Sequence, residues 1–159
     1  MTAANSELIE PRIVVIDPSI PKEQVDAQIL ATRKFDTFWA NGDESLALAV
    51  LSPDYRDQTL PPGRPTGPDG VLRAAKAIHT AIPDLQCEID QLLVIGDRVA
   101  TYLIFTGHFT GTFRGVQGGG QPVNYISMDI YRFSNGLIFE SWHLEDNLTL
   151  YSQLGIINS

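Results

Sequence analysis

At 159 residues, with 43% apolar and 19% charged side chains, the chain holds material for one domain with a single buried core. A formal net charge of −8 with no Lys/Arg cluster makes nucleic acid and anionic membrane poor partners, and no apolar run approaches the length of a membrane span. The single Cys87 excludes an internal disulfide and reads as a structural thiol in a strand; with three dispersed histidines it offers no metal-ligand spacing, so no metal is expected.

Residues 1–20 are polar and broken by Pro11 and Pro18, and read as a flexible arm preceding one domain over 21–159. Its apolar burst Ile13-Val14-Val15-Ile16 suits a sheet edge or a partner subunit. Met1–Glu7 lacks the basic and apolar regions of a signal peptide, so a soluble, cytoplasmic protein is expected. From Pro21 the spacing of Val25, Ile29, Phe35, Phe38 and Trp39 predicts an amphipathic helix ending at Asn41-Gly42. Asp43 caps a shorter helix through Leu51, stopped by Ser52-Pro53, and Tyr55–Leu60 reads as a short strand. The proline-dense segment 61–68 is a rigid loop. Asp69 then caps a third helix bearing Val71, Leu72, Ala75, Ile78 and Ile82, which Pro83 ends. Leu85–Ile95 and Arg98–Phe109 are long strands joined at Gly96-Asp97. The glycine-rich stretch 111–120 has no following helix or lysine to cradle phosphate and reads as a connector or lid.

Asn124–Phe133 and Leu137–Asp146 form the clearest pairing, because Asn135-Gly136 supplies the two positive φ angles of a type I′ hairpin turn. A two-residue loop sets Tyr131 opposite Glu140, Asp129 opposite Trp142 and Tyr125 opposite Asp146. One face then carries Tyr125, Ser127, Asp129, Tyr131, Phe133, Ile138, Glu140, Trp142 and Asp146. The other carries Ile126, Met128, Ile130, Arg132, Phe139, Ser141 and His143; a bulge would exchange the assignment. The first face, aromatic with carboxylates among the rings, suits a small-molecule pocket, with a solvated face as the competing reading. Trp39 and Tyr55 are candidates for its wall. Burial beside Trp142, Tyr125, Tyr131 and a second carboxylate, Asp129, would raise the pKa of Asp146 and make it an acid/base group; Asp146 serves equally well as the N-cap of the closing helix over 147–154. His108 is a candidate proton shuttle, against an ordinary structural role. Helices followed by long, closely connected strands give an α+β fold: a curved, cone-shaped antiparallel sheet with about three helices across one face, enclosing an internal pocket.

Several segments occur in a telling order: Pro53-Asp54-Tyr55, Ile82-Pro83-Asp84-Leu85, Gly96-Asp97-Arg98-Val99, the run from Thr106 to Gly111, Asp129-Ile130-Tyr131-Arg132-Phe133, and Trp142 through Asp146 to Gln153-Leu154-Gly155. Over about residues 24–155 the chain resembles the SnoaL-like polyketide cyclases, in the superfamily of nuclear transport factor 2 and ketosteroid isomerase. The resemblance implies an intramolecular aldol condensation without metal or organic cofactor. It gives the acid/base role to Asp146, with His143 as the fallback, and sets Asp129 where relatives commonly have a polar partner. Gln58 stands where relatives often place a histidine, and is a substrate-binding candidate with Trp39, Tyr55, Tyr125, Tyr131 and Trp142.

The expected function is thus a cofactor-independent enzyme acting on a small or medium apolar carbonyl compound by carboxylate acid/base catalysis, as cyclase or isomerase. The alternatives are an epoxide or lactone hydrolase of the same fold, or a non-catalytic small-ligand-binding or dimerisation domain, because this fold hosts all three. The low charged fraction favours hiding uncharged surface in a homodimer or higher homo-oligomer.

Overall fold

The computed structural model describes residues 7–158; the first six residues of the predicted arm lie outside that range. Eight strands and four helices follow in the order β1 (Ile13–Ile16), α1 (Lys22–Asn41), α2 (Glu44–Leu48), β2 (Leu51–Asp57), α3 (Gly67–Ala81), β3 (Gln86–Ile95), β4 (Arg98–Phe109), β5 (Thr112–Phe113), β6 (Val116–Gln117), β7 (Gln121–Ser134), β8 (Leu137–Glu145) and α4 (Asn147–Gln153). Six of the strands form one curved, open sheet in the order β1-β3-β4-β7-β8-β2, and β5 and β6 make a separate small hairpin within the glycine-rich stretch.

The centre of the sheet is antiparallel, as the short connections require, but both edges run parallel to their neighbours: β1 beside β3 and β2 beside β8. The burst at residues 13–16 therefore joins the sheet edge, and Arg33 of α1 fastens the segment before it by donating to the carbonyls of Leu8 and Ile9. Pro53 is tolerated in β2 because this is an edge strand and the residue faces solvent.

Helix α1 buries Phe35 and Phe38 against the concave face of the sheet and stops at Gly42, whose φ of +74° lets its N–H reach the Phe38 carbonyl at 2.7 Å. Asp43 caps α2 by accepting from the Ser45 N–H. The predicted cap at Asp69 is corrected: α3 begins two residues earlier, at Gly67-Pro68, since a proline in the first turn has no N–H to lose. Asp69 instead pairs with Arg73 one turn on. The core lies between these helices and the inward side chains of the sheet, among them Ile89, Leu92, Val99, Leu103 and Ile138. Among the described residues no helix is long and apolar enough to cross a membrane.

The hairpin turn forms as its residues demand, with φ of +52° at Asn135 and +76° at Gly136 and Ser134 opposite Leu137. The register beyond it corrects the predicted one. Phe133 pairs with Ile138, but Arg132 pairs with Glu140, so Phe139 is an extra residue on β8 and every position after it changes face. Tyr131 stands opposite Ser141, Asp129 opposite His143 and Ser127 opposite Glu145. Trp142, set opposite Ile130, lies on the outer face with the Arg98 guanidinium 6.0 Å from its ring centre, and not in the pocket.

Candidate active site

The concave face of the sheet, α1, α3 and α4 enclose a cavity of about 670 Å³, a size suited to a drug-sized ligand. Its wall is largely aromatic and aliphatic: Phe35 and Trp39 from α1, Tyr55 from β2, Leu103 and Phe105 from β4, Tyr125 and Tyr131 from β7 and Leu150 from α4. Phe105 and Tyr125 stack with centres 5.1 Å apart, and Phe35 meets Tyr131 edge-on at 5.3 Å. Alternate positions of β7 and β8 set a row of polar side chains into this wall, namely Ser127, Asp129, Ser141, His143 and Glu145.

These groups are linked. His143 Nδ1 lies 2.6 Å from Asp129 Oδ1, and its Nε2 lies 3.2 Å from Glu145 Oε2. Ser127 Oγ donates to the second Asp129 oxygen at 2.8 Å, so this buried carboxylate has both oxygens occupied. Burial alone would push the His143 imidazole down; the hydrogen bonds and negative charges of Asp129 and Glu145 overcome it and push the pKa up to about 10. The ring is therefore an imidazolium at neutral pH, donating from both nitrogens while 34% of the side chain stays open to the cavity and solvent. Thr59 fixes the strand here by accepting the His143 backbone N–H at 3.0 Å.

Beside this triad, Tyr131 donates its hydroxyl to Asp36 Oδ1 at 2.7 Å. Asp36 is wholly buried, and burial first, with the Asp129 charge adding, raises its pKa well above the carboxylate range against the opposing Tyr131 hydrogen bond. A neutral acid avoids the cost of an isolated buried charge. Asp36 Oδ2 and Thr101 Oγ1 are buried with no hydrogen-bond partner among the described residues. Tyr55 hydrogen-bonds Ser141 Oγ, and burial holds the phenols of both Tyr55 and Tyr125 protonated.

Of the residues singled out from the sequence, Asp129, His143, Trp39, Tyr55, Tyr125 and Tyr131 meet at this cavity. Four do not. Asp146 caps α4, accepting from the Thr149 N–H at 3.1 Å and its hydroxyl at 2.6 Å, and these bonds lower its pKa rather than raise it. His108, more than half exposed, is tied to Asp84 through Nδ1 at 2.7 Å and its backbone N–H at 2.8 Å, bridging the end of β4 to the loop after α3. Gln58 lies outside the cavity and donates to Glu140 at 2.6 Å. Trp142 is on the outer face. Glu145 and Asp36 were missed: Glu145 follows from His143 by the period of two once the bulge is known, and Asp36 is signalled by an acid inside the apolar stripe Phe35, Phe38, Trp39 of α1. Among the described residues no group of three or more His, Cys, Asp or Glu side chains is arranged to hold a metal ion.

The model of the SnoaL-like polyketide cyclase family matches residues 29–154. Among solved structures, a provisionally assigned polyketide cyclase from Bacillus cereus ATCC 10987 is 36% identical with a TM-score of 0.87, covering 99% of each chain. AclR from Streptomyces galilaeus, provisionally a hydroxylase, is 25% identical with a TM-score of 0.74, covering 86% of this chain and 85% of its own. IdmH from Streptomyces antibioticus, provisionally a polyketide cyclase, is 25% identical with a TM-score of 0.70, covering 84% and 99%. A search of curated proteins returns no match. With the family model spanning most of the domain and a likeness to the Bacillus cereus structure running end to end, the chain belongs to the SnoaL-like polyketide cyclase family.

Proposed function

We propose that the chain is a cofactor-independent acid/base enzyme that moves a proton at a carbon beside a carbonyl of an apolar compound, as cyclase or isomerase. The observation that carries this reading is His143 bridged between the carboxylates of Asp129 and Glu145 in an aromatic cavity, a setting that favours the charged imidazole. Asp129, occupied by Ser127 and His143, orients and charges the ring. Glu145 has a second oxygen, Oε1, with no hydrogen-bond partner among the described residues, and is the base. It takes the α-proton on Oε1, the C–H electron pair forms an enolate, and the Nε2–H of His143, released from Glu145 as that carboxylate is neutralised, donates to the enolate oxygen. In a cyclisation the enolate carbon then attacks a second carbonyl, and the resulting alkoxide recovers the proton from Glu145; in an isomerisation the proton returns to another carbon of the enolate. No group beyond these side chains is needed to balance either route.

The test is wash-in of deuterium at the α-carbon of 1-tetralone in D2O, followed by mass spectrometry. The enzyme is expected to accelerate exchange, and His143→Ala and Glu145→Gln each to lower the rate by about 10²-fold or more, the scale of a lost general acid or base. No acceleration, or full rates in both variants, sinks the reading.

A further inference from the structure

Four of the chain's eleven Lys and Arg side chains, Arg64, Arg73, Lys76 and Arg114, line this one cavity of a protein whose net charge is −8. Arg73, Lys76 and Arg114 are exposed at its rim and Arg64 is half-buried. Arg73 pairs with Asp69 at 3.0 Å, but both side chains are well exposed and such a pair yields readily to a stronger partner. Arg64, Lys76 and Arg114 have no ion-pair partner among the described residues. The acids of the same lining, Asp57, Asp129 and Glu145, offset these cations only in part, since His143 between Asp129 and Glu145 adds a positive charge, and none of the three forms an ion pair with Arg64, Arg73, Lys76 or Arg114 among the described residues.

Arg114 adds an independent observation. It is the first central residue of the β5–β6 turn, with φ of +48° followed by +78° at Gly115. Among the described residues the other non-glycine residue at positive φ is Asn135, which tolerates it in the same kind of turn; a long side chain such as arginine does not do so readily. Its guanidinium carbon lies 5.2 Å from the Phe113 ring centre and 4.9 Å from that of Tyr151, with Nη2 3.2 Å from the Tyr151 hydroxyl. Backbone strain retained at a cavity mouth, beside a side chain held in place by two rings, points to a requirement for that side chain.

We infer that the substrate carries an anionic tail, a carboxylate or a phosphate ester, which Arg64, Arg73, Lys76 and Arg114 hold at the rim while its apolar, carbonyl-bearing body reaches His143. Guanidinium groups grip either oxyanion in a planar, two-pronged fashion, and Lys76 adds a point charge. The placement of the body rests on the proton-transfer reading; the tail rests on the rim alone.

Three probes share one aromatic body: 1-naphthoate, 1-naphthyl phosphate and the neutral methyl 1-naphthoate. By calorimetric titration in low salt each anion is expected to bind about tenfold or more tighter than the ester, with the margin shrinking as salt screens the rim. The double variant Lys76→Glu/Arg114→Glu is expected to remove the margin while keeping the ester affinity, which also certifies its fold. A tighter phosphate supports a phosphate-ester tail, and a tighter naphthoate supports a free carboxylic acid. Failure of both anions to bind, an ester bound as tightly as both, or a margin unchanged in the variant overturns the inference. Because binding is read without turnover, the absence of any margin in the wild type with tetralone exchange intact removes the tail and spares the proton transfer, and a margin present with no acceleration of exchange does the reverse.

Discussion

His143 holds more protons in the folded protein than in the unfolded chain, and the consequence for stability has a definite sign. Its pKa rises from an ordinary 6.5 to about 10, so the stabilisation from Asp129 and Glu145 is fully present below about pH 6.5 and is lost as pH climbs through 10. Asp36 acts in the same direction: the native state keeps a proton that the unfolded chain releases above its usual pKa near 3.8. Raising the pH is therefore expected to lower the urea midpoint between pH 6.5 and 10, more steeply in the wild type than in His143→Gln. Nitrogen NMR of the ring supplies the direct check: both nitrogens are expected to be protonated at pH 8. A ring that titrates near 6.5 would remove the ionic triad and with it the acid assigned to His143.

At the scale of elements, α4 is fixed at one end by the Asp146 cap and at the other by the buried Leu154. Truncating Leu154→Ala is expected to cost about 2–5 kcal/mol in urea denaturation through the cavity it leaves. Asp146→Ala should cost less, since the cap is solvated, and should leave tetralone exchange within about twofold of wild type; collapse of exchange would return Asp146 to the chemistry. That capping role was one of two readings open in the sequence, because Asp before Asn147 satisfies both. The helix faces, the hairpin turn and the order of the main helices and long strands were legible for the same kind of reason: periodicity, Gly42 and Asn135-Gly136 act locally; the short β5–β6 hairpin was not, and β2 begins at Leu51, where the second helix was expected to end, rather than at Tyr55. The bulge at Phe139 was not. Its register is imposed by the partner strands, with Arg56 of β2 pairing Glu140, and by two guanidinium groups, Arg56 and Arg132, about 6 Å from the Phe139 ring centre. The single-strand pattern also misleads, because Trp142 is apolar on the outer face while Ser141 and His143 are polar on the inner one. Apolarity marks the buried side only when the other face of the sheet is polar, and here both faces are apolar.

That doubly apolar sheet bears on the whole molecule. The helices and the cavity cover its concave face, whereas the register gathers Tyr102, Ile104, Ile126, Met128, Ile130, Trp142 and Leu144 on the convex one, with Met128 opposite both Tyr102 and Leu144. Met128 is 57% exposed and Leu144 76%, in a patch at the middle of the sheet rather than scattered singly. A second copy of the chain is the expected cover, because an isologous contact lets one patch bury itself and is the commonest closed assembly. Native mass spectrometry is expected to give twice the 17.5 kDa protomer mass. In such an interface each substitution acts twice, so Met128→Glu with Leu144→Lys should shift the protein to monomers while the NMR titration of His143, which points to the opposite face, stays in place. Added salt should favour the dimer, since it screens repulsion between two chains that each carry −8. A monomer at about 100 µM in moderate salt would mean that the convex face is left to solvent, contrary to the usual fate of an apolar patch of this kind.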